Sequence, residues 1–121
     1  MKKILLIEDD PFLIDIYTTK LKEEKYEVFV AKNGKEAFQV LEKKKPDLIL
    51  LDIVLPYVDG WELLRKIKEN KVLKDVKVVI LSNLSQKQEI EKGLKMGAEK
   101  YLIKAHFTPS QVINEIKKIL K

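Results

Sequence analysis

Cysteine is absent from the 121 residues, so neither a disulfide framework nor a thiolate metal site can form, and nothing ties the chain to an oxidising compartment. Histidine occurs once, as His106; without a second imidazole or a thiol nearby, no histidine-based metal site is expected. Arginine also occurs once, as Arg65, although the formal net charge is +5. The positive charge therefore rests on lysines scattered among acids. Specific phosphate or base recognition favours the arginine fork, and single-stranded nucleic acid is usually held on interleaved aromatics. Aromatic residues make up only 7% of the chain and are concentrated nowhere. We expect a solvated, lysine-rich surface and no direct nucleic-acid binding.

Long hydrophobic runs are missing too. The run that opens the chain, Ile4 to Ile7, has four residues and ends in Glu8-Asp9-Asp10, too short for a signal peptide or a membrane span. A cytoplasmic protein with no membrane association is expected. No internal linker, repeat or low-complexity segment divides the sequence, and its length suits one domain, residues 1–121, with a single good core.

What is present is an alternation of strand-like and helix-like patterns. "KILLI" (Lys3 to Ile7) precedes a helical stretch from Pro11 with Phe12, Leu13, Ile16, Tyr17 and Leu21 on one face. "EVFVA" (Glu27 to Ala31) precedes a helix carrying Ala37, Val40 and Leu41, and "DLILL" (Asp47 to Leu51) one carrying Leu63, Leu64 and Ile67. "VKVVIL" (Val76 to Leu81) leads into a helix with Ile90 and Leu94, and "YLI" (Tyr101 to Ile103) into a last helix with Val112, Ile113, Ile116 and Ile119. Thr108-Pro109-Ser110-Gln111 forms a capping box with proline at the first helical position, and Ser85 to Gln88 repeats the box without proline. Gly34 and Gly97 fall where turns are needed. Five such units predict a doubly wound five-stranded parallel sheet with right-handed crossovers and helices on both faces. The first strand is apolar enough to be central and "EVFVA" looks like an edge, which favours the order 2-1-3-4-5. Ligands of that topology bind beyond the carboxyl ends of the strands, between strands one and three.

The residues at those ends are Glu8, Asp9 and Asp10 after strand one, Asp52 after strand three, Ser82 after strand four and Lys104 after strand five. Each has a plain reading alone: Asp10 before Pro11 caps a helix, Asp59-Gly60 is a turn, Trp61 and Tyr101 pack, and Ser82 and Lys104 satisfy backbone and water. Together they make chemical sense. Carboxylates crowded at one edge repel by about 4 kcal/mol per close pair at an effective dielectric of 20, so the cluster calls for a cation. An open, all-oxygen site suits Mg²⁺. A carboxylate facing that ion, with an ammonium and a hydroxyl aimed at the same point, can act as nucleophile toward a phosphoryl group. Asp52 is the expected acceptor.

With "ILLIEDD", "DLILLDIVLPYVDGWELL", "VVILSN" and "GAEKYLIKA" in this order, the sequence resembles a response-regulator receiver domain of two-component signalling over essentially its whole length. The resemblance implies a phosphoryl-accepting switch: Asp52 takes the group from a histidine kinase or phosphotransfer protein, and Asp9, Asp52 and the Val54 carbonyl ligate Mg²⁺, with Glu8 helping through water. It implies that Ser82 and Lys104 hold the phosphoryl oxygens, and that Tyr101 moves inward when Ser82 is drawn to the phosphate. The face of helix four, strand five and helix five would then select an output partner, the chain being a monomer or weak dimer that catalyses its own phosphorylation and slow dephosphorylation. Val54 and Leu84 are expected to flank the phosphoryl group.

Two departures from the family pattern stand out. Asn83 replaces the usual small residue after the hydroxyl, so it either narrows the pocket or hydrogen-bonds near it. Ala105 replaces the usual proline and His106 is an extra residue before Phe107; a trans Lys104-Ala105 bond is expected, with the extra residue absorbed as a small bulge. Three other readings compete. A phosphate-independent scaffold would be marked by loss of Asp52 or Lys104, and both are present. The receiver half of a truncated DNA-binding regulator would have the same sequence. A hydrolase with an aspartyl nucleophile would want a second acid two residues after Asp52, where Val54 stands.

Overall fold

A computed structural model describes all residues, 1–121. The elements run β1 (Lys3–Ile7), α1 (Pro11–Glu23), β2 (Glu27–Ala31), α2 (Gly34–Lys43), β3 (Leu48–Leu51), α3 (Gly60–Glu69), β4 (Lys77–Ser82), α4 (Lys87–Lys95), β5 (Lys100–Ile103), a 3-10 turn (Lys104–His106) and α5 (Pro109–Ile119). All strand pairs are parallel, and the strands lie in the order β2-β1-β3-β4-β5, as expected for this alternation. The period of two divides the core. Leu5, Ile7, Ile49, Leu51, Val78 and Ile80 face α2 and α3, where they meet Ala37, Leu41, Leu63, Leu64 and Ile67. Ile4, Leu6, Leu48, Leu50, Val79 and Leu81 face α1 and α5, where they meet Tyr17, Leu21, Val112, Ile113 and Ile116. Runs buried on both faces are what a covered parallel sheet requires.

Several local expectations need correction. Phe12 is 71% exposed, because the first turn of α1 directs Leu13 and Ile14 toward the core instead. In α4 the inward residue is Gly93, not Leu94, which is 45% exposed. A Cβ on Gly93 would lie 2.6 Å from Ile80 Cδ1 and 3.0 Å from the Tyr101 ring, so the helix backbone itself seats on the sheet and Leu94 is turned outward. The cap of α4 is Gln86 rather than Ser85: the Gln86 N–H donates to Glu89 Oε1 at 3.0 Å. Gly34 is the first residue of α2, pressed against Val58, whereas Gly97 does occupy a turn, with φ +107°. β3 starts at Leu48, and Asp47 instead accepts the Lys3 N–H at 2.7 Å.

The register sets up the functional end. Ile7 pairs with Leu51, so the next residues, Glu8 and Asp52, leave adjacent strands side by side, about 4.8 Å being the spacing of neighbouring strands. The Asp52 N–H extends the ladder by donating to the Ile7 carbonyl at 3.0 Å. Beyond Asp52 the chain returns into α3 through Gly60, whose N–H donates to Ile53 O at 3.0 Å. A Cβ there would stand 2.4 Å from the Ile53 backbone, and backbone cannot yield as a flexible side chain would. Gly60→Ala is therefore expected to lower the unfolding free energy by about 1–3 kcal/mol. Urea denaturation checks this; an unchanged midpoint would show that the loop after Asp52 moves aside freely.

Candidate functional site

The side chains that close the sheet edge come from three strand ends and one turn. Glu8 and Asp52 are 1% and 5% exposed, and Ser82 is fully buried. Burying two carboxylates this far from water is costly unless each is paired. The partner is Lys104, at the start of the 3-10 turn: its ammonium lies 2.7 Å from Glu8 Oε1 and 2.7 Å from Asp52 Oδ2. The second oxygens are also engaged. Glu8 Oε2 accepts the Asp10 N–H at 3.1 Å, and Asp52 Oδ1 accepts the Val54 N–H at 3.1 Å. The double ion pair of Lys104 was not foreseen in the sequence, where Glu8 was assigned a water-mediated part.

The charges tune one another. Burial pushes the Glu8 carboxyl up from its ordinary value, and the hydrogen bond from Lys104 only partly offsets this. Burial would lower the Lys104 ammonium, but the hydrogen bonds and charges of Asp52 and Glu8 outweigh it and raise the group above its ordinary value. Lys104 is thus held charged between two acids. Tyr17, read in the sequence only as packing, is buried under this cluster; its phenol is raised chiefly by burial, with the charges of Lys104, Glu8 and Asp52 all acting on it.

Asp9 completes the acidic group. One carboxylate oxygen each from Glu8, Asp9 and Asp52 lies within 4.8 Å of the others. Three carboxylates against one ammonium leave two negative charges, and the donors are hard oxygens, so the set fits a divalent cation such as Mg²⁺. Asp10, by contrast, is occupied as the cap of α1, accepting the N–H groups of Phe12 and Leu13. A cavity of about 320 Å³ opens over the cluster, lined by Asp9, Asp10, Asp52, Val54, Asn83 and Lys104. Val54 is 58% exposed at its rim, two residues after Asp52.

Ser82 and Leu84 are placed differently from the expectation. Ser82 does not reach the cavity wall: its hydroxyl accepts the Leu84 N–H at 3.3 Å, a turn within the loop after β4. Leu84 packs half-buried against the core and does not flank the cavity. The Tyr101 hydroxyl donates to the Leu84 carbonyl at 2.6 Å; this phenol too is raised, by burial first and then by the Glu89 charge. Leu84 is therefore held at its N–H by Ser82 and at its carbonyl by Tyr101. The serine-turn pattern two residues before Leu84 was the available signal for half of this arrangement.

The loop after β5 also differs in form. No peptide bond is cis, in line with the expected trans Lys104-Ala105 bond, but the extra residue is taken up by the 3-10 turn Lys104–His106 and not by a bulge. A tight turn shortens the path to the Thr108 cap without moving β5. His106 is exposed on that turn, away from the acidic cluster.

The family model described as the response regulator receiver domain matches residues 4–117. The chain is 34% identical over 122 residues to the alkaline phosphatase synthesis transcriptional regulatory protein PhoP of Bacillus subtilis, with 99% of this chain and 49% of that protein covered. It is 32% identical over 120 residues to the phosphate regulon transcriptional regulatory protein PhoB of Pseudomonas aeruginosa, covering 99% and 52%. The chain thus spans about half the length of the curated relatives it matches. Among solved structures, the Francisella response regulator 1452 receiver domain superposes with a TM-score of 0.89 at 31% identity, with 100% of both chains covered. No helix is long and apolar enough to cross a membrane. With fold, strand-end acids and similarity agreeing over nearly its full length, the chain belongs to the response regulator receiver domain family.

Proposed function

We propose that Asp52 is the phosphoryl acceptor of a two-component signalling switch. The observation that carries this reading is the double ion pair: Lys104 holds Asp52 and Glu8 together while Asp52 Oδ1 points to the Val54 N–H beside the cavity. An Asp52 oxygen attacks phosphorus of a donor phosphohistidine; the new O–P bond forms as the N–P bond breaks, and the imidazole leaves with the electron pair. Asp9, Asp52 and the Val54 carbonyl, with Glu8 close by, would hold Mg²⁺, which when bound screens the acceptor and the transferring oxygens from repulsion. Lys104 keeps its ammonium at the same point and neutralises charge on the phosphoryl group.

The signal would leave through Ser82. Once its hydroxyl turns to a phosphoryl oxygen it releases the Leu84 N–H, and the second restraint on Leu84, the Tyr101 hydroxyl, lies in strand β5. Repositioning of Tyr101 alters the face of α4, β5 and α5, which we assign to the output partner. The named transcriptional regulators it resembles are about twice its length, so that face is proposed to address an output segment or protein beyond these 121 residues.

Incubation with Mg²⁺ and acetyl phosphate is expected to raise the intact mass by one phosphoryl group. Asp52→Asn should abolish the increase and EDTA should suppress it; full labelling of Asp52→Asn would refute the assignment. The label should be long-lived, because Val54 at the rim cannot orient an attacking water. Val54→Asn is expected to speed its loss several-fold, measured by the same mass signal over time.

The raised Glu8 carboxyl has a consequence for stability without metal. A group whose folded pKa is raised contributes stability that is present below its unfolded value, near 4.5, and is lost as the pH rises through the folded value. At neutral pH in EDTA, Glu8→Gln should therefore be more stable than the parent, with the difference shrinking as the pH falls toward 4. Mg²⁺ at a hundredfold excess over Kd should stabilise the parent by about 2.7 kcal/mol, and the variant by less. Thermal unfolding across pH, with and without Mg²⁺, checks both signs.

A further inference from the structure

The cavity over Asp52 has few side-chain hydrogen-bond donors for what the proposed function asks of it. Of its six lining residues, Asp9, Asp10 and Asp52 are carboxylates and Val54 is apolar, so only Lys104 and Asn83 bring side-chain donors. Two of the three ammonium N–H groups of Lys104 are committed to Glu8 and Asp52. Ser82, the hydroxyl expected to serve, is fully buried and does not line the cavity, its oxygen accepting the Leu84 N–H. The bonds around the cavity run from Lys104 to Glu8 and Asp52, from Val54 to Asp52, from Asp10 to Glu8, from Leu84 to Ser82 and from Tyr101 to Leu84. None of them uses Asn83, which is exposed at the mouth.

Two roles are open to that side chain, a steric gate or a ligand, and the dimensions separate them. With Asn83 in place the cavity still holds about 320 Å³, roughly ten times the share of one water in the liquid, about 30 Å³. A phosphoryl group and several waters fit, so Asn83 does not close the site. A transferring phosphoryl group carries its charge on three equatorial oxygens, and in this arrangement Lys104 has one N–H to offer them. A carboxamide adds two more donors and, being neutral, does not repel the metal that Glu8, Asp9 and Asp52 would hold.

We propose that Asn83 is a catalytic residue of the phosphoryl transfer: its carboxamide N–H donates to an equatorial phosphoryl oxygen while Ser82 is still engaged with Leu84. The contact acts as the Asp52 oxygen bonds to phosphorus and the bond to the donor breaks, the leaving imidazole nitrogen or acetate oxygen taking the electron pair. Ser82 then joins after releasing Leu84, so that transfer precedes the movement of the β4–α4 loop. This inference rests on the phosphoryl-acceptor reading of Asp52.

The test compares the full 121-residue chain with Asn83→Ala and Asn83→Ser, using acetyl phosphate with Mg²⁺ as donor and beryllofluoride with Mg²⁺ as a non-transferring mimic. Intact mass over time should show Asn83→Ala labelled about tenfold more slowly, the usual scale for losing one hydrogen bond to a charged group, with Asn83→Ser intermediate because it keeps a donor. In ¹⁵N-labelled parent protein, the side-chain amide pair that is missing from the Asn83→Ala spectrum should shift on adding beryllofluoride. Labelling of Asn83→Ala at the parent rate or faster would overturn the ligand role and favour a gate, as would an amide pair that stays in place when the backbone signals around Asp52 move. A parent chain that takes no label and binds no beryllofluoride would overturn the acceptor reading itself, and this inference with it.

Discussion

A single ammonium holds the functional end of this molecule together. Lys104 reaches two buried carboxylates at once, Glu8 from β1 and Asp52 from β3, and all three groups come from separate parts of the chain. Removing the lysine would leave both acids buried and unpaired, and breaking a buried pair in that way typically costs about 3–5 kcal/mol. The arrangement is therefore conditional: the sheet tolerates acids at its centre only while β5 delivers the lysine. It is also incomplete, since Asp9 adds a third carboxylate and leaves an excess of two negative charges. A site balanced in this way is receptive both to a divalent cation and to whatever anion that cation brings.

The same end is joined to a helix that is lightly held. α4 buries only Gly93, and because that residue has no side chain the helix meets Ile80 and the Tyr101 ring with its backbone. Further attachments include the Lys92 ammonium, 4.5 Å from the centre of the Trp61 ring on α3, half-buried Met96 at the C-cap, and Leu84 in the preceding loop, bonded from both sides by Ser82 and Tyr101. An exposed cation–π contact is worth about 0.5–1 kcal/mol, and a neutral hydrogen bond about as much. Elements with few buried contacts are those that open or shift at low cost. The contacts that hold α4 are therefore weak beside those of the interior strands, which are buried on both faces.

Much of this was legible in the sequence, for identifiable reasons. The strands and their order could be read because the apolar runs are uninterrupted, helix starts are marked at Asp10, Asp59 and Thr108, and the crossover rule leaves few topologies. Glu8, Asp9, Asp52 and Lys104 could be gathered at one edge because parallel strands end at the same side of a sheet. The particulars that were missed depend on rotation and distance, which a residue pattern does not encode. Periodicity located α4 but not which side it turns inward, since a glycine contact has no hydrophobic signature. It likewise assigned Leu84 to the pocket by counting from Ser82, when the turn that Ser82 makes with that residue's own N–H sends the side chain into the core instead.

The placement of Lys104 shows how a departure from the family pattern can leave a buried ion pair in place. Strand β5 fixes the start of the loop, because Ile103 is paired with Ser82 on β4. Its end is fixed by Phe107, which packs against the core between the sheet and α1 and α5, and by Thr108, which caps α5 with a reciprocal bond from Gln111. Between these anchors the chain must pass Ala105 and His106, and it does so in one 3-10 turn closed by the Phe107 N–H on the Lys104 carbonyl. Both residues are exposed, so their side chains make no demand on the interior. The lysine needs only a fixed backbone position and a short reach to the acids, and strand pairing on one side with an aromatic anchor on the other supplies that position. The identity of the residues between the anchors then sets the shape of the outer loop, while the distance from Lys104 to Asp52 is set by the sheet.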